Sequence, residues 1–129
     1  MAEQAQTLFE RAGGEAGVRQ AIDEFVRRVA SDLMIGFLFR NVDLKLLGDR
    51  EYEFTANFLG AGQVQYSGRS LKEAHASHLI MGGQFDRRRQ ILLEVLDEQG
   101  IAADVRTGWL SHVDDLRNLI VRGGQGQCD

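Results

Sequence analysis

The chain has 129 residues, of which 43% are hydrophobic and 26% charged, and its formal net charge is -4. That is enough chain for one domain with a buried core, in ordinary globular proportions. The acidic balance excludes general nucleic-acid affinity, which needs a basic field. The one cysteine, Cys128, has no partner for an internal disulfide, so the fold does not depend on oxidation.

No proline occurs, and apolar residues recur at intervals of three and four rather than two, which predicts an all-α domain. TLFE at 7–10 fits a capping box with Thr7 as cap and Glu10 reaching back. The short helix it opens is interrupted by AGGEAG at 12–17. The next helix is expected from about Glu15 to Ser31, burying Val18, Ile22, Phe25, Val26 and Val29. An apolar turn, LMIGFLF, follows at 33–39. Asp43 is expected to cap a helix running to about Leu59, with Leu44, Leu47, Phe54 and Phe58 inside. Glycines make LGAGQVQYSG (59–68) a loop. Ser70 and Glu73 form a second capping box, so a short helix carries His75. Long helices are predicted at about 84–98 and 103–121, with Gly100 between them. Their stripes are Phe85, Leu92, Val95 and Leu96, then Val105, Trp109, Val113, Leu116 and Ile120. The greasiest stretch, FVRRVASDLMIGFLF, is broken by Arg27, Arg28, Ser31 and Asp32, which argues against a membrane span. No signal peptide is evident at the N-terminus, and the cytoplasm is the expected location. The Gly-rich stretch 122–129 reads as a flexible tail, with Cys128 incidental.

Two charges break the stripes. Glu51 falls between Leu47 and Phe54, and Arg88 falls between Phe85 and Leu92. A buried charge is costly unless paired or hydrogen-bonded. Each either finds a partner inside or reaches the surface along its own stem. KEAHASHLIMGGQF (72–85) holds His75 and His78, spaced three apart. By spacing alone such a pair reads as surface decoration. Three histidines and one cysteine support no structural zinc site. His112 has no partner motif and reads as a helix-face histidine.

The order of these elements and their motifs resembles the truncated haemoglobins, small globins with a two-over-two helical sandwich. LFERAGGEAGVRQAIDEFVRRV resembles the family's opening, FLFRNVDL its haem-packing stretch, FLGAGQVQYSGRSLKEAH its approach to the proximal histidine, and QFDRRRQILLEVLDEQGI the start of its next long helix. The resemblance spans about residues 7–121. It implies haem as cofactor and His75 as the iron ligand, since the family's proximal histidine lies ten residues before a phenylalanine, here Phe85. It implies haem packing by Phe39, Phe54, Phe58, Leu47 and Phe85. Propionate contacts fall to Arg50 and Arg69, although solvation alone would also explain both arginines. His112 could touch the haem edge.

The departures lie on the distal side, where Phe25, Val26, Leu47, Glu51 and Arg88 match the family's ligand pocket. Val26 stands where many members carry a hydrogen-bonding tyrosine, Leu47 and Glu51 where others carry glutamine or histidine, and Arg88 where tryptophan or valine is common. The common His-Phe is Gln84-Phe85. Glu51 and Arg88 are therefore expected to face each other over the haem as an ion pair, with Arg88 as a donor to bound ligand and Glu51 repelling it. The competing expectation sends Arg88 to a propionate or to solvent. Arg87-Arg88-Arg89 would serve as a basic patch or be solvated. The implied function is reversible binding of oxygen, nitric oxide or carbon monoxide, with a binding protein favoured over the alternative of a nitric oxide dioxygenase-type activity. A reductase or signalling partner would be a separate chain. The rival readings are a gas or haem sensor, or a globin fold that has lost haem.

Overall fold

A computed structural model describes residues 6–68, 70 and 80–121. Helix α1 (Leu8–Arg11) is a single turn closed by the expected box, with Glu10 N donating to Thr7 Oγ1 and Thr7 N to Glu10 Oε1, both at 3.1 Å. Helix α2 (Gly14–Ser31) buries all five residues of its predicted stripe. The chain can turn from α1 into α2 because Gly13 adopts φ 101°, a left-handed value that a side chain disfavours. A Cβ at Gly17 would stand 2.3 Å from the Ala12 carbonyl oxygen, so the corner is also closed by contact.

Asp32 ends α2 and folds the chain back. Its Oδ2 accepts from Met34 N at 2.9 Å and Ile35 N at 3.2 Å. A 3-10 turn, Gly36–Phe39, then leads to α3 (Leu44–Phe58), where Asp43 accepts from Leu46 N at 3.1 Å as a cap should. Helix α4 (Gly82–Glu98) starts two residues before its predicted origin, because the Gln84 side chain accepts from Met81 N and caps the glycine pair. The last helix does not run unbroken to 121. It divides into α5 (Ala103–Asp115) and α6 (Arg117–Ile120) at Leu116. Asp114 and Asp115 sit unfavourably at a helix C-terminus.

Helix α2 packs on α3 and α4, and α4 packs on α5, giving a two-over-two stack with no strand among the described residues. Trp109 and Phe85 are the largest fully buried side chains. Each such burial contributes roughly 1.5–3 kcal/mol, or more for the indole. Helix α3 departs from its expected pattern. Leu44 is 40% and Phe58 36% exposed, and Leu47 and Phe54 are half-buried. The residues α3 does bury are Gly48, Tyr52, Thr55 and Ala56. The small residues Gly48 and Ala56 let α2 approach, while Leu47 and Phe54 turn toward a cavity.

Glu73 of the second capping box, His75, His78, Arg69 and the tail at 122–129 lie outside the described residues. No helix among those described is long and apolar enough to cross a membrane.

Candidate functional site

The helical stack forms a cavity of about 700 Å³, open at one rim. Helix α2 contributes Ile22 and Phe25; α3 contributes Leu47, Glu51 and Phe54; α4 contributes Phe85, Arg88 and Leu92; α5 contributes Trp109, His112 and Val113. Phe39 closes one side from the 3-10 turn, and Val42 and Leu46 stand at an exposed rim. A volume of this size, walled mainly by apolar and aromatic groups, belongs to the range of small-molecule and cofactor sites, about 300–1,000 Å³. A broader depression of about 940 Å³ lies on the outer surface of α2 and α4. It is shallow, and its arginines are already paired: Arg19 with Asp49, Arg27 with Glu24, and Arg28 with Glu24 and Glu98. The deeper, mainly apolar cavity between the helices is the candidate site.

The two stripe-breaking charges meet inside it. Arg88 Nη2 donates to Glu51 Oε2 at 3.1 Å and Oε1 at 3.2 Å. The side chains are 23% and 26% exposed, which leaves the pair partly desolvated. The guanidinium carbon also stands 4.7 Å from the Phe25 ring centroid, a cation–π contact that fixes the plane of the fork. Arg88 is thus directed to Glu51 within the cavity wall. Phe25, Leu47, Glu51 and Arg88 line the cavity together. Val26, assigned to the same pocket, is buried but absent from the wall. It belongs to the continuous face by which α2 joins the core.

Arg50 lines the cavity and donates to Glu53 Oε2 at 3.4 Å. Glu53 is itself held by Ser67 N at 3.0 Å and Ser67 Oγ at 2.9 Å. These bonds, the backbone one first, hold the Glu53 carboxyl below its ordinary pKa. Arg50, Glu53 and Ser67 therefore anchor the loop after α3 to the cavity edge. A Cβ at Gly68 would lie 2.5 Å from Tyr66 Oη and 2.9 Å from Arg50 Cδ, so glycine is required for this close packing. Tyr66 meets Phe54 edge to face, with centroids 5.4 Å apart.

Phe58 does not line the cavity. It stacks on His112 with centroids 3.7 Å apart and planes within 9°, and so reaches the site through that ring. The sequence did not mark Trp109 or Tyr66 as cavity residues, although both line it, together with Gln84. The Tyr66-x-Gly68 motif was the available signal for one of them. Among the described residues no cluster of histidine, cysteine, aspartate or glutamate could hold a bare metal ion. The walls suit a flat, largely apolar group, with aromatic rings on several sides and cationic side chains at Arg50 and Arg88.

The sequence matches the family model of the bacterial-like globins over residues 7–122. It is 34% identical over 103 residues to the group 1 truncated hemoglobin GlbN of Synechocystis sp., an alignment covering 77% of this chain and 82% of that one. It is 26% identical over 118 residues to the group 1 truncated hemoglobin GlbN of a Nostoc species, with 89% and 97% covered. The fold superposes on the crystal structure of truncated hemoglobin from Tetrahymena pyriformis in its Fe(III) form with a TM-score of 0.84, at 25% identity, covering 92% of this chain and 100% of that one.

Proposed function

The chain belongs to the bacterial-like globin family, and on that premise we propose that it binds haem in the α2–α5 cavity and takes up a diatomic gas there reversibly. The cavity itself carries the reading: about 700 Å³ of mainly apolar space inside a two-over-two globin fold. Haem iron supplies the gas-binding chemistry when the group is present. The protein contributes binding, orientation and electrostatics.

His75 is the residue assigned to the iron, by its position ten residues before Phe85. A neutral imidazole there would donate a nitrogen lone pair to the iron. Phe25, Phe39, Phe54 and Phe85 provide apolar surface for the macrocycle and exclude water. Arg50 would release its long 3.4 Å contact to Glu53 to meet a propionate, a small loss for a partly exposed pair. Arg69 is the second cation assigned to that rim.

Glu51 and Arg88 set the polarity of the ligand side. The carboxylate holds the guanidinium, so an N–H donor is present but engaged. A ligand carrying partial negative charge gains from Arg88 only to the extent that Arg88 turns from Glu51. Val26 offers no donor and does not line the cavity, so stabilisation of bound oxygen by a hydroxyl at that position is not available. This favours gas binding over nitric oxide oxidation, which needs a long-lived oxygenated form.

The test is a haem titration of the purified protein followed by optical spectra, ferric and then ferrous, with and without carbon monoxide. A Soret band that saturates at one haem per chain and shifts on adding carbon monoxide is expected. A chain that takes up no stoichiometric haem would retain the fold and lose this function.

A further inference from the structure

Three large apolar side chains stand in solvent at the turn after α2. Leu33 is 101% exposed, Met34 61% and Phe37 52%. Apolar residues scattered singly over a surface are ordinary, but a cluster marks a place of contact. The turn that carries them is firmly held. Ile35 is buried in the core and anchors it. Gly36 N donates to the Asp32 carbonyl oxygen at 2.9 Å, beside the two bonds that Asp32 Oδ2 accepts from Met34 N and Ile35 N. A Cβ at Gly36 would lie 2.8 Å from the Ala30 carbonyl oxygen, so the turn is folded tightly onto the end of α2. Leu33, Met34 and Phe37 are thereby held outward as a tip.

Area and charge select what covers it. A second copy of the chain would need about 800 Å² from each partner. Even an aromatic side chain supplies only about 150–250 Å², and Met34 and Phe37 are only partly free, so the tip falls well short. Arg40, just past the 3-10 turn, is exposed and forms no ion pair among the described residues. Lys45, in a long 3.3 Å contact with Asp49, is 86% exposed. Asp43 is the one acidic residue in the exposed stretch 33–46, so that stretch is net positive on a chain of net charge -4. A surface of negative lipid headgroups repels such a chain from most directions and admits it from this one. The backbone suits the same surface. The N–H groups of Met34, Ile35, Gly36, Leu38 and Arg40 all have acceptors within the turn, so lowering the tip among headgroups strands none of these donors.

We infer that Leu33, Met34 and Phe37 dock the protein reversibly on an anionic lipid bilayer, with Arg40 and Lys45 at the headgroups. The chain lies on the surface and does not span it. Val42 and Leu46, on the same exposed stretch, line the cavity, so docking brings its open rim toward the bilayer. The inference needs no haem and stands apart from the function proposed above.

The test is co-flotation of the purified full-length chain with vesicles of phosphatidylcholine alone and of phosphatidylcholine mixed with phosphatidylglycerol. Binding to the mixed vesicles is expected, weakening with added salt. Leu33→Ser/Met34→Ser should lower the affinity at least about tenfold, and Arg40→Gln about fivefold. Thermal melts check that the variants fold, and Leu33→Ser alone, at a wholly exposed position, replaces the double variant if that one does not. No binding to the mixed vesicles, or binding that the tip substitutions leave unchanged, overturns the inference. Equal binding to the two kinds of vesicle overturns the anionic assignment. A concentration-dependent dimer in analytical ultracentrifugation that the tip substitutions abolish gives the tip to a second copy and overturns the inference as well.

Discussion

Asp32 Oδ1 accepts from both Arg87 Nε at 3.0 Å and Arg87 Nη2 at 2.7 Å, while only 8% of the Asp32 side chain is exposed. The other oxygen accepts from Met34 N and Ile35 N, so one carboxylate ends α2, shapes the following turn and binds α4. The Arg87 bond is the main reason its pKa lies below the ordinary range. Asp32→Ala leaves two N–H groups and a guanidinium without their acceptor. Loss of hydrogen bonds to a charged group predicts about 1.5–3 kcal/mol of destabilisation, measured by urea unfolding of the haem-free chain. Asp32→Asn should cost less, because its amide oxygen still accepts from the turn.

Acid should weaken the α2–α4 junction through Glu24 as well. Bonds from Arg27 and then Arg28 lower the Glu24 pKa from 4.5 to about 2. Arg28 continues to Glu98 on α4. A carboxyl with a depressed folded pKa holds fewer protons folded than unfolded between those two values. Its stabilisation is present above pH 4.5 and is lost as pH falls toward 2. Stability plotted against pH should therefore drop in that window, and Glu24→Gln should flatten the drop. An unchanged slope in the variant would assign the acid sensitivity to other carboxylates such as Asp32.

The Glu51–Arg88 pair predicts opposite effects from its two halves. Glu51→Gln removes the charge that holds Arg88 and would leave the guanidinium free to donate to a ligand. Oxygen dissociation from the haem-loaded protein should slow, on the order of tenfold for one added charge-assisted bond. Arg88→Leu leaves a carboxylate alone in the cavity wall. It should speed dissociation and destabilise the chain by about 1–3 kcal/mol. Stopped-flow dissociation rates decide this: equal rates in all three proteins would place Arg88 outside ligand stabilisation.

The α1–α2 corner yields a contrast between two glycines. Gly17→Ala would place a methyl 2.3 Å from a backbone carbonyl oxygen, which cannot rotate away. Overpacking of this kind costs about 1–3 kcal/mol. Gly14 has φ 66° but nothing within 4 Å of an added Cβ. Asparagine tolerates that left-handed value, so Gly14→Asn should cost well under the Gly17 figure. Thermal melts of both variants check the ranking.

Much of this was legible in the sequence wherever a helix has one buried face. Helix α2 packs its single stripe against α3 and α4, and periodicity found its large members and missed only Ala21. Helix α3 misled because it has two inward faces. Periodicity followed the large residues toward the cavity and missed Gly48 and Ala56, whose value lies in lacking bulk. Glu51 and Arg88 stood out as misfits along their own helices. Their pairing across 37 positions is a property of the packed stack, and only the expectation drawn from the family's order of elements anticipated it. His112 has no motif, and its stacking on Phe58 is a fact of three-dimensional packing.

The small residues on the hidden face of α3 act as a shim. Ala56 is fully buried against the core and never reaches the cavity, yet its size sets how near α3 can lie to its neighbours. The gauge of the slot is thus written in side chains that nothing inside the slot would ever touch. Widening or narrowing it by evolution or design would begin there, before any lining residue is changed.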